Sequence, residues 1–124
     1  VEVNALGALF VSYIRDPTHI SDGFAGQVIL GNDADREIIP ESSIVARLDP
    51  EVSTPIAYEI AIGVPFSLLS RYSGAALPVA GSRWRGNMYK CSENCSHPRW
   101  GAWAPTGERL DYHEPQHFGE FVFL

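Results

Sequence analysis

The chain has 124 residues, of which nine are basic and fifteen acidic, a net charge of −6, and its length fits one domain. That charge argues against nucleic-acid binding, which needs a basic stripe to displace counterions from phosphate. Apolar residues make up 45% of the chain, enough for a core and too many for a disordered segment, and no apolar run approaches the ~20 residues that span a bilayer.

Nine prolines and eleven glycines punctuate the sequence throughout. A helical domain would show uninterrupted segments of ~11–12 residues with 3.6-residue periodicity, and none is convincing. Short strands joined by turns fit better, which predicts an all-β chain: an antiparallel β-sandwich of the jelly-roll or immunoglobulin-like class, or a barrel.

In chain order, Val1 to Ile14 predicts a pair of strands, with Gly7 as a bulge or bend between them. Residues 15 to 42 read as a loop rich in Asp, Gly and Pro. Connections in compact domains have a median of ~4–6 residues, so this stretch is a binding or ion-stabilised excursion, or it hides a short strand at Gln27–Leu30. A strand is predicted at Ser43–Leu48, and another at Ile56–Val64, where apolar and small residues alternate. Phe66 to Leu69 suits one helical turn after Pro65. Trp84–Cys91 reads as a single strand, Trp100–Ala104 as a short aromatic one, and Glu120–Leu124 as the last.

Four constellations carry candidate chemistry. His113-Glu114-Pro115-Gln116-His117 matches the zinc-protease pattern H-E-x-x-H in letters. That chemistry needs both histidines on one helical face. Pro115 between them would cost a helix ~3 kcal/mol or more, so the segment reads as a turn before the last strand. Cys91 and Cys95 could close a small disulfide loop only if the chain turns between them. Free thiols, or a metal site shared with His97, are the alternatives. Asp33 and Asp35 lie in Gly31–Glu37, where oxygen-bearing side chains alternate as a calcium ion would want. The spacing is not that of an EF-hand, and a solvated polar turn is the competing reading.

The fourth constellation is aromatic and polar. Trp84, Tyr89, Trp100, Trp103 and Tyr112 stand among Arg83, Arg85, Arg99, Asn87, His97, His113 and Glu114. Aromatic faces stack on the C–H face of a sugar ring, and planar polar groups bond its hydroxyls. Any one tryptophan is also a natural core residue. Tyr112, set in a turn between Asp111 and His113, is the aromatic that a core explains least.

Three segments of the C-terminal third are specific: Trp84-Arg85-Gly86-Asn87-Met88-Tyr89-Lys90-Cys91, Ser96-His97-Pro98-Arg99-Trp100-Gly101-Ala102-Trp103-Ala104-Pro105, and Asp111 to Phe123 with its His117-Phe118-Gly119. They resemble the end of a family 9-type carbohydrate-binding module. Tyr58 to Leu69 is similar to that family's strand and turn before Pro-Phe, and Val1–Tyr13 resembles its early strand more loosely. The resemblance implies a β-sandwich that binds plant-type poly- or oligosaccharides without catalysis, often with structural calcium, in secreted, periplasmic or cell-surface systems that degrade glycans. It implies a stacking role for Tyr112, where a tryptophan is common, and polar contacts from Asn87 and Tyr89. With Trp100, Arg99 and His113 these form the expected sugar site. The chain opens at Val1, and the partner aromatic of the family's sugar clamp has no match. The expectation is therefore a module whose N-terminal strands were removed or are supplied by a second chain, or else a compact variant, with an attached catalytic domain as a further partner. A haem-binding relative, with Met88 and a histidine as axial ligands, and a structural module without a ligand are the alternatives.

Overall fold

A computed structural model describes residues 1–31, 34 and 36–124. Two compact units are present, Val1–Leu77 and Pro78–Leu124. Both belong to the all-β class: among the described residues every strand pairs antiparallel, in two-stranded ladders.

The first unit opens with a hairpin of β1 (Glu2–Val3) and β2 (Leu9–Phe10). Asn4 makes its turn, because its side-chain oxygen accepts from the backbone N–H of Leu6 and Ala8. Gly7 supplies a φ of 87°, which a residue with a Cβ resists. β3 (Ser12–Ile14) pairs with β6 (Gln27–Ile29), so the strand suspected within the long loop is present. Nested between them is a hairpin of β4 (His19–Ile20) and β5 (Gly23–Phe24).

β7 (Ile39–Ser42) pairs with β8 (Ile60–Gly63). Here the sequence misleads. The strand expected at Ser43–Leu48 lies earlier, and Ile56–Val64 pairs only in its second half. Serine hydroxyls end the ladder. Ser42 Oγ donates to the Ala5 carbonyl at 2.6 Å and accepts from the Ile44 N–H, and Ser43 Oγ accepts from the Glu59 N–H. Such local bonds compete with continued pairing.

After Pro65 comes the helix α1 (Phe66–Ser73), two turns where one was expected. Gly74 ends it in the left-handed region, with its N–H on the Ser70 carbonyl. Arg71 grips both oxygens of Glu37, at 2.6 and 3.2 Å. Leu68 points into the small core with Val11, Ala34 and Ile38, edged by Leu9, Leu30, Val64 and Tyr72.

In the second unit the expected strand Trp84–Cys91 is two strands. β9 (Arg83–Gly86) pairs with β12 (Gly119–Val122), while β10 (Tyr89–Ser92) pairs with β11 (Arg99–Ala102). Asn87 causes the break. Its amide donates to the Ala104 carbonyl at 3.0 Å, and its oxygen accepts from the N–H of Ala104 and of Met88. The side chain thus takes over bonds that a continuing strand would make.

Rings hold this unit together. Trp84 meets Phe123 edge-on at 5.2 Å, and Trp103 stacks on Phe121 at 4.6 Å. Gly86 and Gly119 face each other across the ladder and leave the room these rings use. A Cβ on Gly86 would lie 2.8 Å from Phe121, and one on Gly119 2.6 Å from Trp103. On the other face Arg83 pairs with Glu120 at 2.6 Å.

Candidate functional site

The β10–β11 hairpin has two chemically distinct faces. Residues directly opposite in an antiparallel ladder share a face, and neighbours along a strand alternate. Tyr89 lies opposite Ala102, and Cys91 opposite Trp100. These four form one face. Lys90 lies opposite Gly101, and Ser92 opposite Arg99, and these form the other.

Tyr112 comes onto the first face from the segment after β11. Its ring stacks on Tyr89 with centroids 4.2 Å apart and planes 12° from parallel. Its hydroxyl donates to the Lys90 carbonyl at 3.3 Å. Desolvation raises the Tyr112 phenol above its ordinary titration range, with Cys91 and Glu93 adding to this, so it is neutral at physiological pH. Trp100, on the same face, is 47% exposed.

Both cysteines are free thiols. Cys91 donates to the Glu93 carboxylate at 3.2 Å, and Cys95 leans toward the Ser92 carbonyl. The bond to Glu93 is the main cause that pushes the Cys91 thiol above its usual range. A carboxylate that accepts from the thiol disfavours the thiolate, so Cys91 is a poor nucleophile.

The sequence-predicted residues divide accordingly. Tyr89, Tyr112 and Trp100 share one face. Arg99 projects from the opposite face. Asn87 is engaged by the Ala104 backbone at the corner before β10. His113 follows Tyr112, its N–H on the Asp111 carboxylate and its ring 3.7 Å from it. Trp84 and Trp103 pack on phenylalanines. Met88 is exposed at the corner beside Asn87. The turn read from Pro115 is present as one 3₁₀ turn at Pro115–His117, with His117 3.3 Å from Glu114. Asp33 and Asp35, the expected calcium ligands, lie outside the described residues. Among the described residues no three His, Cys, Asp or Glu side chains cluster as a metal site would require. Glu93 and Lys90 were not singled out from the sequence. Alternation sets Lys90 on the face away from Tyr89 whichever residue the strand starts from, and Glu93 lies one residue past the end of β10, where no pattern marks it.

An antiparallel all-β chain with a partly exposed aromatic ladder face has the makings of a ligand-binding module. The family model for carbohydrate-binding family 9 matches residues 1–123, and the chain belongs to that family. No curated protein and no solved structure matches it.

Proposed function

We propose that the chain binds a poly- or oligosaccharide on the face formed by Tyr112, Tyr89 and Trp100, by stacking and hydrogen bonding and without catalysis. Membership of family 9 supports carbohydrate binding in general. The parallel stack of Tyr112 on Tyr89 is the observation that carries the choice of face. Tyr89 backs one side of the Tyr112 ring and holds it flat, so the other side is the surface a sugar ring would meet. The half-exposed indole of Trp100 extends the platform along the ladder, and the neutral Tyr112 hydroxyl lies at its rim. His113, next to Tyr112 and exposed, is part of the same proposed site. The family's setting makes action outside the cell part of the same proposal, and no helix among the described residues is long and apolar enough to cross a membrane. Structural calcium at Asp33 and Asp35 is a separate proposal, tested by whether calcium raises the melting temperature.

Calorimetric titration with soluble oligosaccharides tests the platform. Aromatic stacking contributes ~1 kcal/mol beyond burial, which corresponds to about five-fold in affinity. Tyr112→Ala should weaken binding by at least that factor with the fold intact. Unchanged affinity would place the site elsewhere.

A further inference from the structure

The face of the β10–β11 ladder opposite the aromatics carries Lys90, Ser92 and Arg99. We infer that these three side chains form a subsite for an anionic group on a glycan, the carboxylate of a uronic acid or a sulfate ester. The inference rests on the carbohydrate-binding reading and adds a charge preference to it.

Three observations support it. The first is geometry. Lys90 Nζ donates to Ser92 Oγ at 2.9 Å, which leaves the serine hydroxyl hydrogen free to point outward as a donor. Arg99 stands directly across from Ser92, so an ammonium, a hydroxyl and a guanidinium share one side of the hairpin. Gly101, opposite Lys90, contributes no side chain. A Cβ there would come no nearer to any atom than 4.0 Å, at the Lys90 Cβ, so the space beside the lysine is open.

The second is the position of the neighbouring carboxylate. Glu93 is the acidic residue closest in sequence to Lys90 and Ser92. Its carboxylate is held by the Cys91 thiol, and Cys91 lies on the aromatic face. That carboxylate is thus engaged by the thiol, and neither Lys90 nor Arg99 forms an ion pair with it or with any other acid among the described residues.

The third is contrast with the two arginines of β9. Arg83 is paired with Glu120, and Arg85 donates to the Gln116 and Phe118 carbonyls. Those arginines have structural partners. Lys90, the chain's single lysine, and Arg99 are both exposed. Planar arginine beside a point-charge lysine is a pairing suited to carboxylate or sulfate oxygens.

Calorimetry with three short oligosaccharides of equal length, one neutral, one of uronic acids and one sulfated, tests the inference. At low salt the unaltered chain should bind one anionic oligomer about five-fold more tightly than the neutral one, as two exposed charge contacts allow when a single glycan bends over the edge of the two-stranded hairpin to reach both faces. The oligomer preferred identifies carboxylate or sulfate as the recognised group. The advantage should fade at physiological salt and vanish in Lys90→Gln/Arg99→Gln, which should leave neutral binding unchanged. Equal affinities for all three ligands, or an anionic preference that survives the double substitution, would overturn it. Anionic binding that persists where neutral binding is absent would sink the aromatic platform and sustain the subsite. Binding of none of the three would overturn both.

Discussion

Gly119→Ala is a one-methyl perturbation whose consequence follows from the ring packing. The new Cβ would stand 2.6 Å from Cζ3 and 3.0 Å from Cη2 of Trp103, and 3.1 Å from the Ala104 Cβ. Carbon atoms prefer ~3.5–4.0 Å, so something must move by about an ångström. The Ala104 side is anchored by the Asn87 amide, so the indole is what yields. Trp103 is 50% exposed and free to swing outward, which limits the penalty. In moving it gives up its stack on Phe121, ~0.5–1.5 kcal/mol. Full overpacking would cost ~1–3 kcal/mol, and the smaller loss prevails, about 1 kcal/mol. For a domain of this size that lowers the melting temperature by roughly 3–6 °C. Denaturant unfolding and the near-ultraviolet dichroism of the stacked pair read the effect together. Repeating Gly119→Ala in a Trp103→Ala background isolates the cause, because there the methyl meets no ring and only the 3.1 Å approach to the Ala104 Cβ remains, so its penalty should fall sharply. A penalty of equal size in both backgrounds would refute the argument from ring contact.

Two further outcomes are expected. Asn87→Ala removes the bonds to Ala104 and Met88 and leaves a partly buried backbone pair unsatisfied, at ~1–3 kcal/mol. A denaturant midpoint equal to that of the unaltered chain would contradict its role at the corner. At mildly alkaline pH Cys91 should be alkylated more slowly than an ordinary exposed thiol, because its hydrogen bond to Glu93 raises its pKa. Glu93→Gln removes the acceptor's charge, lowers that pKa and should speed the reaction. A rate that does not change would dismiss the bond.

The sequence announces features that depend on neighbours along the chain. Pro115 marks the turn, Pro65 marks the start of the helix though not its second turn, and Gln27–Leu30 offers itself as a strand inside the loop. It conceals features that depend on a distant partner. Nothing local reveals that Asn87 binds Ala104, so Trp84 to Cys91 passes for one strand. The serines at 42 and 43 likewise look compatible with a strand until Ala5 and Glu59 are brought beside them. Tyr112 stands out as a turn aromatic. That Tyr89 is the ring beneath it depends on how the segment after β11 returns over the hairpin. The opposition of Arg99 to Trp100, adjacent in sequence but on opposite faces, is strand alternation and needs no more than the correct strand limits.

The pairing of β9 with β12 encloses the entire β10–β11 hairpin. During synthesis β9 is made early and stays without its mate until β12 follows, after the hairpin and the Tyr112 segment. A hairpin closes in ~1–10 μs, so β10 and β11 can already be zipped, with their aromatic face in place, while β9 is an open edge. Such edges invite pairing with the wrong strand. The ion pair of Arg83 with Glu120 and the ring contact of Trp84 with Phe123 both arrive with the late strand. The order of manufacture therefore makes the aromatic face the early product of this unit, and β12, which covers the open edge of β9, the late one.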